Sequence, residues 1–358
     1  MTTPLPASAY TSPAVLAWEL RHLYAARWVC LGRIDDLLAG GVTQRGVLVG
    51  DVGAVLVRHG DEGGVRLFAN TCRHRGHELV PVGGTSTGRA VVCPYHGWAY
   101  DTAGCLVAAP GFDDSLGERP LAELPVRTWQ GWVFGHGLSD PPDFDAHLGD
   151  LAGLVAPYAP ETLVRAASHV YEISANWKLV AENYHECYHC PQIHPELCAV
   201  SPPTSGDNYD LPGDWVGGRM DLRDGAATMS LTGESGGRPI ATAPARTVEY
   251  LHLLPDLLIS AHPDYVMTHR LRPVAPDRTE VECSWHLPPA DDGSVPDPAW
   301  AVDFWDLTNR QDWAACESVQ RGLANPHYEP GPYAADEDAV ARFVGLIRAA
   351  YDGGGCPL

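Results

Sequence analysis

Cys72 and His74, one residue apart, are followed in the chain by Cys93 and His96, two residues apart. Two thiolates and two neutral imidazoles suit a two-iron, two-sulfide cluster with unlike irons. The cysteines would hold one iron and the histidines the other, which raises the reduction potential well above that of an all-cysteine cluster. Two Cys and two His are also a common zinc set. Zinc fingers, however, usually pair Cys with Cys and His with His, and this spacing does not. The chemistry implied is storage of one electron at a time.

A second chemical stretch runs from Asn176 to His194 and contains Glu182, Asn183, Tyr184, His185, Glu186, Cys187, His189 and Cys190. It starts as a helix that Pro191 is expected to end or kink. Asn183, Glu186 and His189 lie three apart and would share one helix face. His194 follows the break, where the chain can turn back towards His189. Two imidazoles with a carboxylate suit a mononuclear metal with open positions, the facial triad of non-haem iron(II) oxygenases. The third ligand must come from elsewhere. Asp303, Asp306, Asp312 and Glu317 are helix candidates, and spacing does not choose among them. Cys187 and Cys190 imitate a redox Cys-x-x-Cys but read as two buried thiols beside the metal helix. His185 and His77 read as structural or packing residues.

The elements that must position these groups fall into two textures. Ser12-Pro13 opens a helix, with Ser as N-cap and Pro at the first helical position. Short β-rich runs follow at 28–34, 47–50, 54–58, 65–69 and 90–93, with turns at Gly60-Asp61 and Gly63-Gly64. Residues 129–135 form a further strand. The two Cys/His pairs fall on loops of this small antiparallel domain. Asp140-Pro141-Pro142-Asp143 marks a linker. Beyond it, strand runs at 247–253, 257–260, 265–272 and 280–286 precede a long helix over 300–323. Phe304, Leu307, Gln311, Ala314 and Ala315 trace its expected inner face. Residues 201–245 have weak periodicity, as loops that line a substrate pocket often do. The fold class is α+β, divided into an N-terminal helix over 1–27 that packs with the catalytic domain, a cluster domain over 28–145 and a catalytic domain over 146–358.

Composition narrows the function. The chain has 358 residues and 45% hydrophobic content, enough for two cores. Its 45 acidic and 24 basic residues give a net charge of −21, which argues against nucleic-acid binding. No apolar run approaches the roughly 20 residues needed to span a membrane. The first ten residues lack a basic start and an apolar stretch, so a cytoplasmic location is expected. The ten cysteines form no regular secreted framework and read as metal ligands plus reduced thiols.

The loop motifs resemble the Rieske signature, including Arg73, Arg75-Gly76, Pro94 and Gly97-Trp98. The resemblance implies a [2Fe-2S] cluster on Cys72, His74, Cys93 and His96. The interval between His74 and Cys93 is slightly longer than usual in that family, and the Gly83–Gly88 turn is expected to absorb it. The 176–194 stretch is similar to the iron motif of Rieske non-haem iron oxygenases, which implies His189 and His194 as ligands of a mononuclear Fe(II). Gln311-Asp312, with Glu317, Gln320, Arg321 and Gly322, resembles the family's C-terminal ligand segment and implies Asp312 as the third. Glu186 matches the carboxylate that links an iron-ligand histidine to a cluster-ligand histidine, here His96, of a neighbouring subunit. Asn183 is grouped with it as a catalytic candidate. The family fold is a β Rieske domain plus a helix-grip-like catalytic domain with a curved antiparallel sheet and a long C-terminal helix.

Residues 15–338 look like the branch that includes choline monooxygenase and betaine demethylases. Asn176-Trp177-Lys178, Glu186–Cys190, His194–Leu197, Thr228–Ser230 and Asp264–Met267 carry that likeness. It implies O2-dependent hydroxylation of a C–H bond next to a quaternary ammonium nitrogen, as in N-demethylation or choline/betaine-type oxidation. Mono- or dioxygenation of an aromatic ring is the runner-up, and pure Rieske electron transfer stands third. No Gly-x-Gly-x-x-Gly follows a strand, so NAD(P)H would act through a separate flavin/ferredoxin-type reductase. A homotrimer is implied by the family alone. A quaternary ammonium calls for an aromatic cage, with Tyr184, Tyr209, Trp215, Tyr265 and Trp285 as candidates.

Overall fold

The computed structural model describes residues 3–60 and 64–358, so Asp61 and Gly63 of the expected turns lie outside the described residues. The chain divides into two compact units. One takes the chain through Glu19 together with Asp145–Leu358, and the other is Leu20–Phe144. Among the described residues no helix is long and apolar enough to cross a membrane.

The Leu20–Phe144 unit is built from short antiparallel strands. Gln44–Val49, Val52–His59 and Gly64–Ala69 form the centre of a five-stranded sheet, edged by Thr85–Ser86 and Glu123–Leu124. Thr85–Ser86 pairs with Gln44 and Arg45, so the segment expected to be only a turn also supplies an edge strand. Val91–Val92, Ala99–Tyr100 and Leu106–Ala108 make a separate three-stranded sheet. The run expected as one strand over 129–135 is a hairpin, Val126–Trp129 against Trp132–Gly135. Gln130 and Gly131 turn it with φ of 50° and 83°, the left-handed pair that suits a two-residue hairpin loop. Val55, Val57, Phe68, Leu79, Val91, Trp98 and Tyr100 pack into one core under the cluster loops.

The larger unit carries a seven-stranded antiparallel sheet in the order Val164–Ile173, Arg278–Leu287, Val266–Ala275, Leu257–Ala261, Thr247–Leu253, Trp215–Asp221, Asp207–Asn208. The sequence pattern revealed the four middle strands but neither Val164–Ile173 nor Trp215–Asp221. The first is an edge strand whose mostly part-exposed residues blur the alternation. The second contains Gly217-Gly218, which lowers strand propensity. Both glycines are required by space: a Cβ on Gly217 would come within 2.2 Å of the Tyr250 carbonyl oxygen, and one on Gly218 within 2.3 Å of Asn208 Oδ1.

The long helix is Ala299–Leu323, and its inner face differs from the apolar stripe expected. Phe304 is buried, but Trp305, Thr308, Asn309, Cys316 and Gln320 are buried with it, whereas Ala314 is exposed. Polar side chains replace the expected Leu and Ala because each has a partner. Asn309 accepts from His269 Nε2 at 3.1 Å, and Gln320 Oε1 accepts from the Asn176 backbone N–H at 2.9 Å.

The N-terminal segment of this unit pins the Trp177–Tyr184 helix. Asn176 caps that helix, its Oδ1 accepting from Lys178 N at 3.0 Å. Tyr10 donates its hydroxyl to Glu182 at 2.7 Å, and its carbonyl accepts from both Asn176 and Gln320. Glu19, fully buried, accepts from Lys178 Nζ at 2.6 Å, from Trp177 Nε1 at 2.9 Å and from the Tyr351 hydroxyl. Removing one partner of a buried ion pair strands the other charge. Glu19→Ala is therefore expected to cost roughly 3–5 kcal/mol, seen as a lower urea midpoint. Loss of less than about 1 kcal/mol would show that the ion pair does not hold the helix.

Candidate metal centres

The two Cys/His loops of the smaller unit are closed in the same way. Gly76 N donates to Cys72 O at 2.9 Å and Gly97 N to Cys93 O at 3.0 Å. The two glycines have φ of 74° and 73°, a left-handed conformation that side chains rarely adopt. That is the physical reason a glycine stands four residues after each cysteine. Cys93 N also donates to Trp98 O at 2.7 Å, and Cys72 N to His77 O at 2.9 Å. Each loop is a rigid finger on a strand end.

The fingers bring the four candidate ligands together. The rings of His74 and His96 lie 4.8 Å apart, and Cys72 and Cys93 are buried beneath them. Burial pushes the Cys93 thiol up, and the neighbouring Cys72 sulfur adds to this against the backbone N–H groups of Tyr95 and His96. His74 stacks flat on Trp98 at 4.9 Å with a 7° interplanar angle. Its Nδ1 is buried without a hydrogen-bond partner among the described residues. An orphaned imidazole nitrogen beside two adjacent thiols fits a bound metal cluster better than it fits a closed protein core. The Tyr100 hydroxyl lies 3.4 Å from Cys72 Sγ and accepts from Arg73 N at 3.0 Å. With the hydroxyl lone pair engaged by Arg73, its proton is free to point at the sulfur. His77 is exposed and packs beside Tyr95, whose ring touches His96.

In the larger unit the Trp177–Tyr184 helix stops before Glu186, so Asn183, Glu186 and His189 do not share a helix face as their spacing implied. Glu186 instead closes a turn. One carboxylate oxygen accepts from His189 N at 3.1 Å, and the other accepts from His189 Nδ1. Pro191 does not break the helix but stands in the first turn of the next one, Cys190–Ile193. Cys187 and Cys190 are joined as a disulfide rather than standing as two thiols. Their Cα atoms are 4.9 Å apart, because the three-residue step into the Cys190–Ile193 turn brings the two side chains together.

His194 sits between two short helices and donates Nδ1–H to Gln311 Oε1 at 2.7 Å. Gln311 is oriented by Glu196, 3.4 Å from its Nε2. Both imidazoles thus spend Nδ1 on a protein acceptor and keep Nε2 for the centre, the outer-shell arrangement common around metal-bound histidine. Both Nε2 atoms face one carboxylate oxygen: Asp312 Oδ1 is 2.8 Å from His194 Nε2 and 3.4 Å from His189 Nε2. One donor atom from each of His189, His194 and Asp312 lies within 4.8 Å of the others. Burial alone would lower His189, yet hydrogen bonds to Asp312 and Glu186 lift it to about 9. Burial likewise opposes the Asp312 carboxylate, and the two imidazoles hold it below its usual range. Both shifts arise because the carboxylate and the imidazoles face one another across the centre. Two imidazoles and one carboxylate fit a mononuclear iron centre. Of the other acids considered, Asp306 accepts from Tyr171 and Arg310, and Glu317 accepts from the Ser174 backbone.

The triad borders a cavity of about 950 Å³. Trp305, Tyr250, Tyr184, His269 and Trp313 line it as a continuous chain of ring contacts with centroid spacings of 6.3, 6.0, 6.3 and 6.0 Å. Of the aromatics proposed from sequence only Tyr184 is among them. Tyr265 is fully buried against His262, and its hydroxyl accepts from Trp305 Nε1 at 2.7 Å. Trp215 donates to Pro212 O and packs on Tyr209, whose hydroxyl is taken by Glu249. Trp285 is buried beside His169. Counting back from Asp312 by helical steps would have found Asn309, Thr308 and Trp305, which share its face. Asn183, Glu186 and His185 also line the cavity. His185 meets His252 at 3.1 Å, and burial pushes it well below its ordinary value.

Two rigid loops on a small β unit, each presenting one cysteine and one histidine, together with a triad of two histidines and a carboxylate on an antiparallel α+β unit, define the class of Rieske non-haem iron oxygenases. Residues 27–128 match the Rieske [2Fe-2S] domain, and residues 160–353 match the ring hydroxylating alpha subunit (catalytic domain). The chain belongs to the ring-hydroxylating, Rieske-type oxygenase alpha-subunit family and is an oxidoreductase. It is 32% identical to the glycine betaine monooxygenase oxygenase subunit of Chromohalobacter salexigens, over 95% of this chain and 84% of that one. It is 26% identical to the chloroplastic choline monooxygenase of Arabidopsis thaliana, over 97% and 82%. The quaternary ammonium Rieske monooxygenase CntA, solved with L-carnitine, shares the fold with a TM-score of 0.76 at 22% identity, over 98% of this chain and 95% of that one.

Hydrogen bonds to the sulfurs help set the potential of an iron–sulfur cluster. Tyr100→Phe is therefore expected to lower the midpoint potential of the cluster in a redox titration while its visible spectrum stays Rieske-like. An unchanged potential would remove the hydroxyl–sulfur bond from consideration. Asp312→Ala should retain the cluster and lose the third iron per chain, counted by metal analysis against acid-labile sulfide.

Proposed function

We propose that this chain is the terminal oxygenase that uses O2 and reducing equivalents from NAD(P)H, passed by a separate flavin/ferredoxin-type reductase, to oxidise a C–H bond next to a quaternary ammonium nitrogen. Cys72, His74, Cys93 and His96 hold the [2Fe-2S] cluster, and His189, His194 and Asp312 hold the iron. When bound, the cluster supplies single electrons and the iron supplies O2 activation. The protein supplies the rest. Glu186 fixes the His189 ring through Nδ1 and offers a hydrogen-bonded route towards His96 of a neighbouring subunit in a homotrimer. Asn183 lines the same cavity and helps seat the substrate.

The observation that carries this reading is the chain of rings beside the triad. A quaternary ammonium donates no hydrogen bond and is held by π faces, at roughly 0.5–2 kcal/mol per contact. Trp305, Tyr250, Tyr184 and Trp313 are aromatic rings lining the cavity beside the triad. Hydroxylation of an N-methyl group consumes O2, two electrons and two protons and yields water and an N-hydroxymethyl ammonium. That adduct collapses as its O–H proton leaves and the C–N pair returns to nitrogen, which releases formaldehyde and a tertiary amine.

The test is turnover of methylammonium compounds with a surrogate reductase, following formaldehyde and O2 together. Stoichiometric formaldehyde is the expected result. Turnover of an arene with no formaldehyde from any methylammonium compound would overturn the reading. Glu186→Gln should keep three irons per chain yet slow turnover by about 10–100-fold or more. Full activity in that variant would reject the relay role.

A further inference from the structure

The charges around the cavity separate two kinds of quaternary ammonium, those that carry a carboxylate and those that do not. Among the described residues lining it, the acidic ones are Glu186, Asp207, Asp312, Asp336 and Asp338. Arg219 is the one Lys or Arg, and strand geometry turns its side chain away. In the antiparallel pairing of Trp215–Asp221 with Thr247–Leu253, Gly218 faces Tyr250 and Arg219 faces Glu249. Successive side chains point to opposite faces of a sheet. Tyr250 belongs to the ring chain, so the guanidinium lies on the other face, with Glu249. There it is already paired with Asp207 at 3.2 Å, its partner in the strand register, so this face keeps both charges and Asp207 does not count towards the acidic border.

The histidines do not supply the missing cation. His189 and His194 are committed to the triad. His185 and His269 are buried, where a protonated imidazole would be costly to desolvate, and each already spends a ring nitrogen on His252 or Asn309. A substrate carboxylate entering this space would give up its hydration with no Lys or Arg partner, since the charge of an iron(II) at the triad would be balanced by Asp312 and Glu186 while Asp336 and Asp338 stay uncompensated at the border. Desolvating an unpaired charge is among the most unfavourable events in a protein interior. A compact cation gains on both counts, from the ring faces and from the acidic border.

We infer that the substrate is a quaternary ammonium of net positive charge, such as an amino alcohol or alkyl ammonium lacking a carboxylate, and not a zwitterionic betaine. This rests on the proposed quaternary-ammonium reading and narrows it. The neutral groups beside the rings, among them Asn183, Thr308 and Asn309, suit a hydroxyl or an alkyl arm.

The experiment compares choline and tetramethylammonium with glycine betaine and L-carnitine on the holoenzyme, by calorimetric binding and by kcat/KM with a surrogate reductase. The cations should bind and turn over at least tenfold better than the zwitterions, and their binding should weaken as salt is raised. Asp336→Asn and Asp338→Asn should raise the choline Kd several-fold and leave betaine binding unchanged or tighter. Equal or better use of the zwitterions, or variants that weaken both classes alike, would overturn this inference and leave the oxygenase assignment standing. Failure of all four compounds to bind would instead sink the quaternary-ammonium reading itself.

Discussion

Three donor atoms from two distant stretches of chain must meet within a few ångströms, and the larger unit is organised around that requirement. His189 and His194 are local to one another, but Asp312 lies more than a hundred residues further on. Its place is set by the docking of the Ala299–Leu323 helix on the Trp177–Tyr184 helix. Polar clasps join these helices: Gln320 holds the backbone of the Asn176 cap, and Cys316 Sγ reaches Leu179 O at 3.6 Å. Tyr10 binds both ends of the joint through one carbonyl. Such bonds have fixed geometry, whereas apolar contacts tolerate sliding, so the register between the helices is held to one solution.

The same logic explains the polar inner face of the long helix. A helix chosen for stability alone would present Leu and Ala to the sheet. This one presents Trp305, Thr308, Asn309 and Asp312 along one line, and these residues line the cavity beside His189 and His194. Asn309 accepts from His269 Nε2 and so holds one nitrogen of a buried imidazole beside the triad. Gln311, one residue before Asp312, holds His194 from the other side. Two consecutive residues on one helix thus touch both nitrogens of one histidine, which orients the ring more firmly than either bond alone.

The cluster-binding unit solves a simpler problem by symmetry. Two loops with the same backbone closure and the same left-handed glycine present a cysteine and a histidine each. The core beneath is small and aromatic, and Trp98 supports His74 as a flat plate. Tyr100 links the two fingers, accepting from Arg73 and reaching Cys72 from the strand that leaves the Cys93 loop. One unit presents its cysteines and histidines on two closed loops, and the other encloses a chamber of about 950 Å³ lined by rings.

Local chemistry was legible in the residues themselves. Cys72, His74, Cys93 and His96 stand out because metal ligation demands particular side chains at short spacings, and Gly76 and Gly97 because only glycine fits their backbone readily. The alternation of 247–253, 257–260 and 280–286 revealed central strands because burial on a sheet has period two. Other features had no local signature. The edge strand Val164–Ile173 is half-exposed, and Trp215–Asp221 hides behind glycines needed only once Tyr250 and Asn208 lie against them. The ring chain joins residues of two strands and two helices, so no window of sequence contains it. Spacing alone left four acids open as the third ligand, and the packing of two helices brought Asp312 to the imidazoles. Residue type and short spacing determine which groups can do chemistry; only tertiary packing decides which of them meet, because long-range contacts leave no periodic trace in the chain.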